Sequence, residues 1–197
     1  MKKILILTLF SLIVVANSGC TRAFKNVLGL QSAAKGTPQM ETFKPKHSHL
    51  EVVMPGPRDE VASFNDLFNS TYMYKHEEGF YALSFGLVMG VLMTPDQFQA
   101  SLNDLSSKLV KSIDGTPTMT TPIQYYGAGC APDAFRQGKE IEGTIGSGDR
   151  YFKLRVYLIG TTEFKSSYCL VVCGTKSFVN SPEANRFLGS LKLLEIE

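Results

Sequence analysis

Tryptophan is missing from this 197-residue chain, histidine occurs three times, and cysteine four times. Each scarcity excludes something. The bulky core material must come from 13 Phe and 8 Tyr. Three histidines, with no Ser/His/Asp signature around them, give no nucleophilic triad and no full metal set. Four cysteines are too few for a disulfide-built scaffold. The net charge is only +2, and Lys2 and Lys3 account for all of it, so residues 20–197 are balanced. A balanced chain gives no electrostatic footing for nucleic acid. No apolar run reaches the length of about 20 residues that a membrane helix needs. There is no internal repeat.

What is present begins at the N-terminus. Lys2 and Lys3 precede an apolar run from Ile4 to Ala16, and small polar residues follow up to Gly19-Cys20. This layout predicts a secretory signal peptide over residues 1–19. A cysteine after a small residue at the end of such a run resembles the lipid-attachment site of a bacterial lipoprotein. Asn17 stands where that pattern usually carries an aliphatic residue. An alternative cleavage after Ala16-Asn17-Ser18 would release a soluble chain beginning at Gly19. The lipoprotein reading predicts a diacylglyceryl group and an N-acyl chain such as palmitate on Cys20, a stable anchor without a membrane span. Thr21 after the cysteine favours the outer membrane over the inner. The expected location is therefore the bacterial cell envelope, on an outer-membrane or periplasm-facing lipoprotein, with a soluble secreted or periplasmic protein as the alternative.

Residues 20–48, rich in Ala, Lys, Thr, Gln, Gly and Pro, predict a flexible tether, and residues 49–197 a single domain with one hydrophobic core. Leu50–Met54 reads as a strand ended by Pro55-Gly56-Pro57. Asn69–Lys75 and Phe80–Met89 read as strands joined at His76-Glu77-Glu78-Gly79, with Tyr81, Leu83 and Phe85 on one face and Phe80, Ala82 and Ser84 on the other. The clearest helix opens at Thr94, with Pro95 at its first position and Gln97 closing a capping box. Phe98, Leu102, Leu105, Leu109 and Ile113 form its apolar stripe, and Asp114-Gly115 ends it. A Thr/Pro-rich loop and a strand at Pro122–Tyr126 follow. Gly138–Ile145, Tyr151–Ile159 and Tyr168–Cys173 read as three antiparallel strands, Ser181-Pro182-Glu183 opens a short helix, and Leu191–Ile196 reads as a last strand.

Few residues suggest chemistry. Cys169 and Cys173 lie on one strand face roughly 13 Å apart, too far to bond each other. A disulfide would therefore join Cys130 to one of them; otherwise all three are buried thiols. His47-Ser48-His49 lacks a third ligand and reads as linker. His76 beside Glu77 and Glu78 reads as a solvated hairpin tip. Glu140 and Glu142 sit roughly 7 Å apart on one face, where exposed charges are routine. Gly127-Ala128-Gly129 lacks the Gly-Lys-Ser/Thr of a phosphate loop. Tyr151, Lys153, Arg155 and Tyr157 share a face that would recognise an anionic or sugar-like ligand unless a helix covers it. No catalytic residue, metal or cofactor is expected.

Several segments carry a resemblance: Leu50–Arg58 with its Pro-Gly-Pro turn, Tyr81-Ala82-Leu83-Ser84-Phe85, Arg155–Gly160 followed by Tyr168–Val172, and Asn185–Leu193 with Phe187, Leu188 and Ser190. Together they resemble the small α/β domain of bacterial secreted proteins and lipoproteins, similar to the PsbP fold. Leu191 stands where that pattern has an aromatic, and Cys130 and Cys173 fall outside it. The resemblance covers roughly residues 50–195 and implies an α+β fold, an antiparallel sheet flanked by helices in an α/β/α sandwich. It implies no activity. The expected function is a membrane-anchored, non-enzymatic binding or accessory domain for an envelope protein partner; the alternative is a small-ligand carrier or hydrolase-type enzyme. Intact-mass spectrometry of the detergent-extracted native protein should show the diacylglyceryl and acyl additions, and Cys20→Ser should remove them. An unlipidated chain starting at Gly19 would instead establish the soluble alternative.

Overall fold

The computed structural model describes residues 34–46, 48–61, 68–89, 93–131, 133–160 and 164–194. The signal peptide, Cys20, Thr21 and His47 lie outside the described residues. Among the described residues ten strands and three helices follow one another: β1 (Met40–Phe43), β2 (Leu50–Pro55), β3 (Asp59–Val61), β4 (Ser70–His76), β5 (Gly79–Met89), α1 (Pro95–Ser112), β6 (Gly115–Gln124), β7 (Phe135–Ile145), β8 (Arg150–Gly160), β9 (Phe164–Gly174), α2 (Lys176–Val179), α3 (Pro182–Leu188) and β10 (Lys192–Leu193). Seven strands form an antiparallel sheet in the order β3-β4-β5-β9-β8-β7-β6. A second sheet has the order β1-β2-β10.

β5 and β9 sit at the centre and are apolar on both faces, so both faces of the sheet must be covered. On one side lies α1. Thr94 caps it as expected, its hydroxyl accepting from the Gln97 amide while the Gln97 side chain accepts from the Thr94 amide. Phe98, Leu102, Leu105, Leu109 and Ile113 then pack on Phe152, Leu154, Val156, Leu158 and Val171. On the other side, Tyr81, Leu83, Leu170 and Val172 are covered by α2, α3 and the small sheet, through Phe178, Phe187, Leu188, Val52 and Met54. The helix-flanked sandwich expected from sequence is therefore corrected. One layer is helical, and the opposite layer is part helix and part β-sheet, making the molecule more sheet-rich than expected.

The tether reading of residues 20–48 is also corrected over its described part. β1 pairs with β2 along Met40↔Pro55 to Phe43↔Val52. Phe43 meets Tyr72 edge-on at 5.0 Å, and Arg58 stacks over the Phe43 ring while pairing with Glu41. Four residues of mixed composition show no period, so this pairing with a distant strand was invisible locally.

The expected loop after α1 is an edge strand. Its register with β7 shifts between Pro117 and Met119, leaving Thr118 as the bulged residue. The Tyr125 amide donates to the Arg136 carbonyl at 2.9 Å, just beyond the Gln124↔Gln137 pair. Counting back by twos, Ile123, Thr121 and Met119 also turn their amides toward β7. The bulge then places both Pro117 and Pro122 on the opposite parity, where no ladder bond needs their missing N–H. Without it, prolines five apart would fall on opposite sides and one would break the ladder. The strand carries no charge, so its prolines are its guard against pairing with other chains. Replacing both with Thr restores two outward donors. The double variant should fold yet self-associate with concentration in sedimentation velocity; a strictly monomeric variant would refute the guard.

The cysteines occupy different layers. Cys169 and Cys173 are buried in the α1 layer, whereas Cys130 packs half-buried on the opposite one, and all three thiols are free. The sheet itself lies between Cys130 and the other two, so of the two readings the disulfide is not formed and the thiols stay free. Burial pushes all three thiols up, most strongly Cys169 and Cys173. A disulfide reagent should modify Cys130 slowly in the native protein, and Cys169 and Cys173 only on unfolding. A mass gain of two hydrogens on reduction would contradict this arrangement.

Candidate functional site

The face singled out from sequence lies on β8 and is built as expected: Tyr151, Lys153, Arg155 and Tyr157 alternate with the α1-facing Phe152, Leu154 and Val156. Its neighbours decide what it can do. The register sets Arg155 opposite Glu140 and Lys153 opposite Glu142 on β7. Arg155 Nε donates to Glu140 Oε2 at 2.5 Å, and Lys153 Nζ pairs with Glu142 Oε1 at 2.9 Å. The two glutamates are thus half of a cross-strand ion ladder rather than a carboxylate pair. Burial works against the Arg155 charge, and hydrogen bonding and charge from Glu140, with Tyr157, outweigh it, so its affinity for the proton is raised. Arg155 Nη1 also donates to the Leu188 carbonyl at the end of α3, a cation at a helix C-terminus.

The two tyrosines are engaged as well. Tyr157 is buried, with Tyr125 edge-on at 6.2 Å, and Lys176 of α2 lies 5.8 Å over the Tyr151 ring. Burial raises the Tyr157 hydroxyl, with Arg155 pulling the other way. Both cations of this face therefore already have carboxylate partners. An added anion would have to displace Glu140 or Glu142.

His76 is not solvated. It is buried, its ring stacks on Phe178 at 5.2 Å, Nε2 lies 2.7 Å from the Gly36 carbonyl and Nδ1 accepts from the Glu78 amide at 3.2 Å. Those bonds pin the segment beginning at Ala34 to the hairpin. Gly36 and Phe178 stand 40 and 102 positions away, and Glu78 contributes its backbone amide rather than its carboxylate, so the adjacent glutamate side chains were the wrong guide. His49 immediately precedes β2, and no cluster of metal-ligating side chains forms around it among the described residues. Among the described residues no group of three His, Cys, Asp or Glu is placed to hold a metal.

Sequence reading missed the segment after β6. Tyr125 turns inward, its hydroxyl donating to the Ala128 carbonyl and accepting from the Leu193 amide at 2.8 Å. Gly129, at φ +82°, runs so close to the Leu193 carbonyl that a side chain has no room. This is the role of the glycine pair that a phosphate loop would have used otherwise. Tyr126, just beyond the strand, is thrown outward, 83% exposed, and Met119 of β6 is 48% exposed. Between Tyr126 and Arg155 lies an open depression of about 700 Å³, with Ile123, Gly138 and Tyr157 in its wall. The signal was available: Tyr125-Tyr126 at a strand end must point to opposite faces.

No helix among the described residues is long and apolar enough to cross a membrane. No family model matches the chain, and no curated protein matches it. Among solved structures, the chain is similar to the solution structure of cyanobacterial PsbP (CyanoP) from Synechocystis sp. PCC 6803. The TM-score is 0.51 at 9% identity, over 84% of this chain and 98% of that one. At that identity the likeness concerns the fold alone, and it gives this chain a PsbP-like antiparallel β architecture.

Proposed function

We propose that this chain is a lipid-anchored, extracytoplasmic domain of the bacterial cell envelope that docks a protein partner and performs no chemistry itself. The observation that carries the reading is the edge formed by β6 and the turn after it. Its ten residues carry no charge, and Met119 and Tyr126 are the large apolar side chains it leaves exposed. An exposed aromatic beside a half-buried Ile123 is the kind of anchor that contributes most to protein interfaces. The neighbouring ladder is internally neutralised, so the surface selects for an uncharged, apolar partner face rather than for charge. A tether from Cys20 would confine the domain near the membrane and raise the effective concentration of partners there.

The test is photo-crosslinking in intact cells, with benzoylphenylalanine in place of Tyr126 and, as a control, in place of Lys108 on the exposed side of α1. Docking through the β6 edge yields one discrete adduct from position 126, absent from position 108 and lost when Met119 is also changed to Ser. Equal, diffuse labelling from both positions would sink the reading.

A further inference from the structure

We infer that a second cleft, between the β1–β2 connection and the β4-β5-β9 end of the large sheet, binds a neutral saccharide. This goes beyond the docking reading and does not depend on it. The cleft encloses about 550 Å³, inside the range of small-molecule sites of about 300–1,000 Å³. Its floor is aromatic. Phe85 of β5 stands directly opposite Tyr168 of β9 in the register, and Tyr72 of β4 lies diagonally across from Phe85. The Tyr72 and Phe85 rings are 11° from parallel with centroids 6.3 Å apart, and Phe43 braces Tyr72 edge-on. Phe85 and Tyr168 are half-buried, so part of each ring remains on the cleft wall.

The rim is polar and of mixed sign. Asn69, Ser70, Ser48 and Ser166 supply neutral donors and acceptors, and Lys46 and Glu60 one charge of each sign. Glu60 and Ser166 reach toward the Tyr72 and Tyr168 hydroxyls, respectively. The combination discriminates among ligand chemistries. An acyl chain would cover the floor but strip water from the amide and hydroxyls without replacing their hydrogen bonds. An anion attracted by Lys46 would also meet Glu60. A sugar ring has one face of C–H groups, whose positive edge suits the negative face of an aromatic ring, and hydroxyls around its perimeter that match the rim. The rings are held by the sheet before any ligand arrives, so little ordering is left for binding to impose.

Saturation-transfer NMR on the purified full chain, in a detergent without a sugar headgroup, tests this with maltose, cellobiose and N,N′-diacetylchitobiose as probes. At least one should show saturable transfer at millimolar concentration, strongest at its C–H face. Tyr168→Ala should weaken that binding about tenfold. Asn69→Ala, an exposed rim change that leaves the floor intact, should weaken it about threefold, which keeps the test decisive if Tyr168→Ala fails to fold. Absence of transfer from all three probes overturns the inference. So does transfer unaltered by the variants, or laurate occupying the cleft where no saccharide displaces it.

Discussion

Everything in this molecule follows from a central strand pair that cannot face water on either side. β5 and β9 carry Phe80, Ala82, Cys169 and Val171 on one face and Tyr81, Leu83, Leu170 and Val172 on the other, all buried. At roughly 25 cal/mol per Å² of apolar surface, leaving either face exposed would cost several kcal/mol, comparable with the whole stability of a domain. Two covers are therefore required, and the chain supplies two different kinds. One is a single long helix, sufficient because an 18-residue stripe spans the sheet. The other is assembled from pieces too short to fold alone.

That assembled cover is held by specific bonds rather than by area alone. Tyr81 is its hub, with Phe178 at 5.0 Å and Phe187 at 5.5 Å, both edge-on. Burial pushes its hydroxyl up to about 12. Ser190 accepts from the Val53 amide and donates to the Phe187 carbonyl, joining β2 to the end of α3. Gly79 and Gly174 face each other in the register and admit the Phe178 ring where a side chain would collide. The motif at Asn185–Leu193 that suggested the fold is thus a closure device. Phe187 and Leu188 fill the layer, and Ser190 fastens it. A motif of this kind transmits architecture between distant sequences and says nothing about activity.

How legible this was in sequence depends on range. α1 could be read almost residue by residue, because its cap, its stripe and its Asp114-Gly115 end are all local signals. The two faces of β5 and β8 were equally legible, since alternation alone assigns them. β1 was not, because its partner β2 lies beyond a connection and its four residues have no period. β6 was hidden by its own prolines, which argue for a loop until the bulge at Thr118 is known to give them a common parity. For the candidate site the failure was of another sort. Tyr151, Lys153, Arg155 and Tyr157 were correctly placed on one face, but sequence could not say that β7 sets a glutamate opposite each cation.

That last point governs how polar faces on such sheets should be read. A ladder such as Glu142–Lys153 beside Glu140–Arg155 looks like recognition machinery when only one strand is considered. With its neighbour in register it is structure, since each half-buried cation needs a partner, and the partner's removal would leave a charge partly stripped of water. The surfaces left open for function are then those where the ladder stops. One is the uncharged edge of β6, where no further strand is paired among the described residues. The other is the far end of β4, β5 and β9, where the small sheet fails to cover the last aromatic rings. Both lie at the borders of the double cover, where its pieces run out.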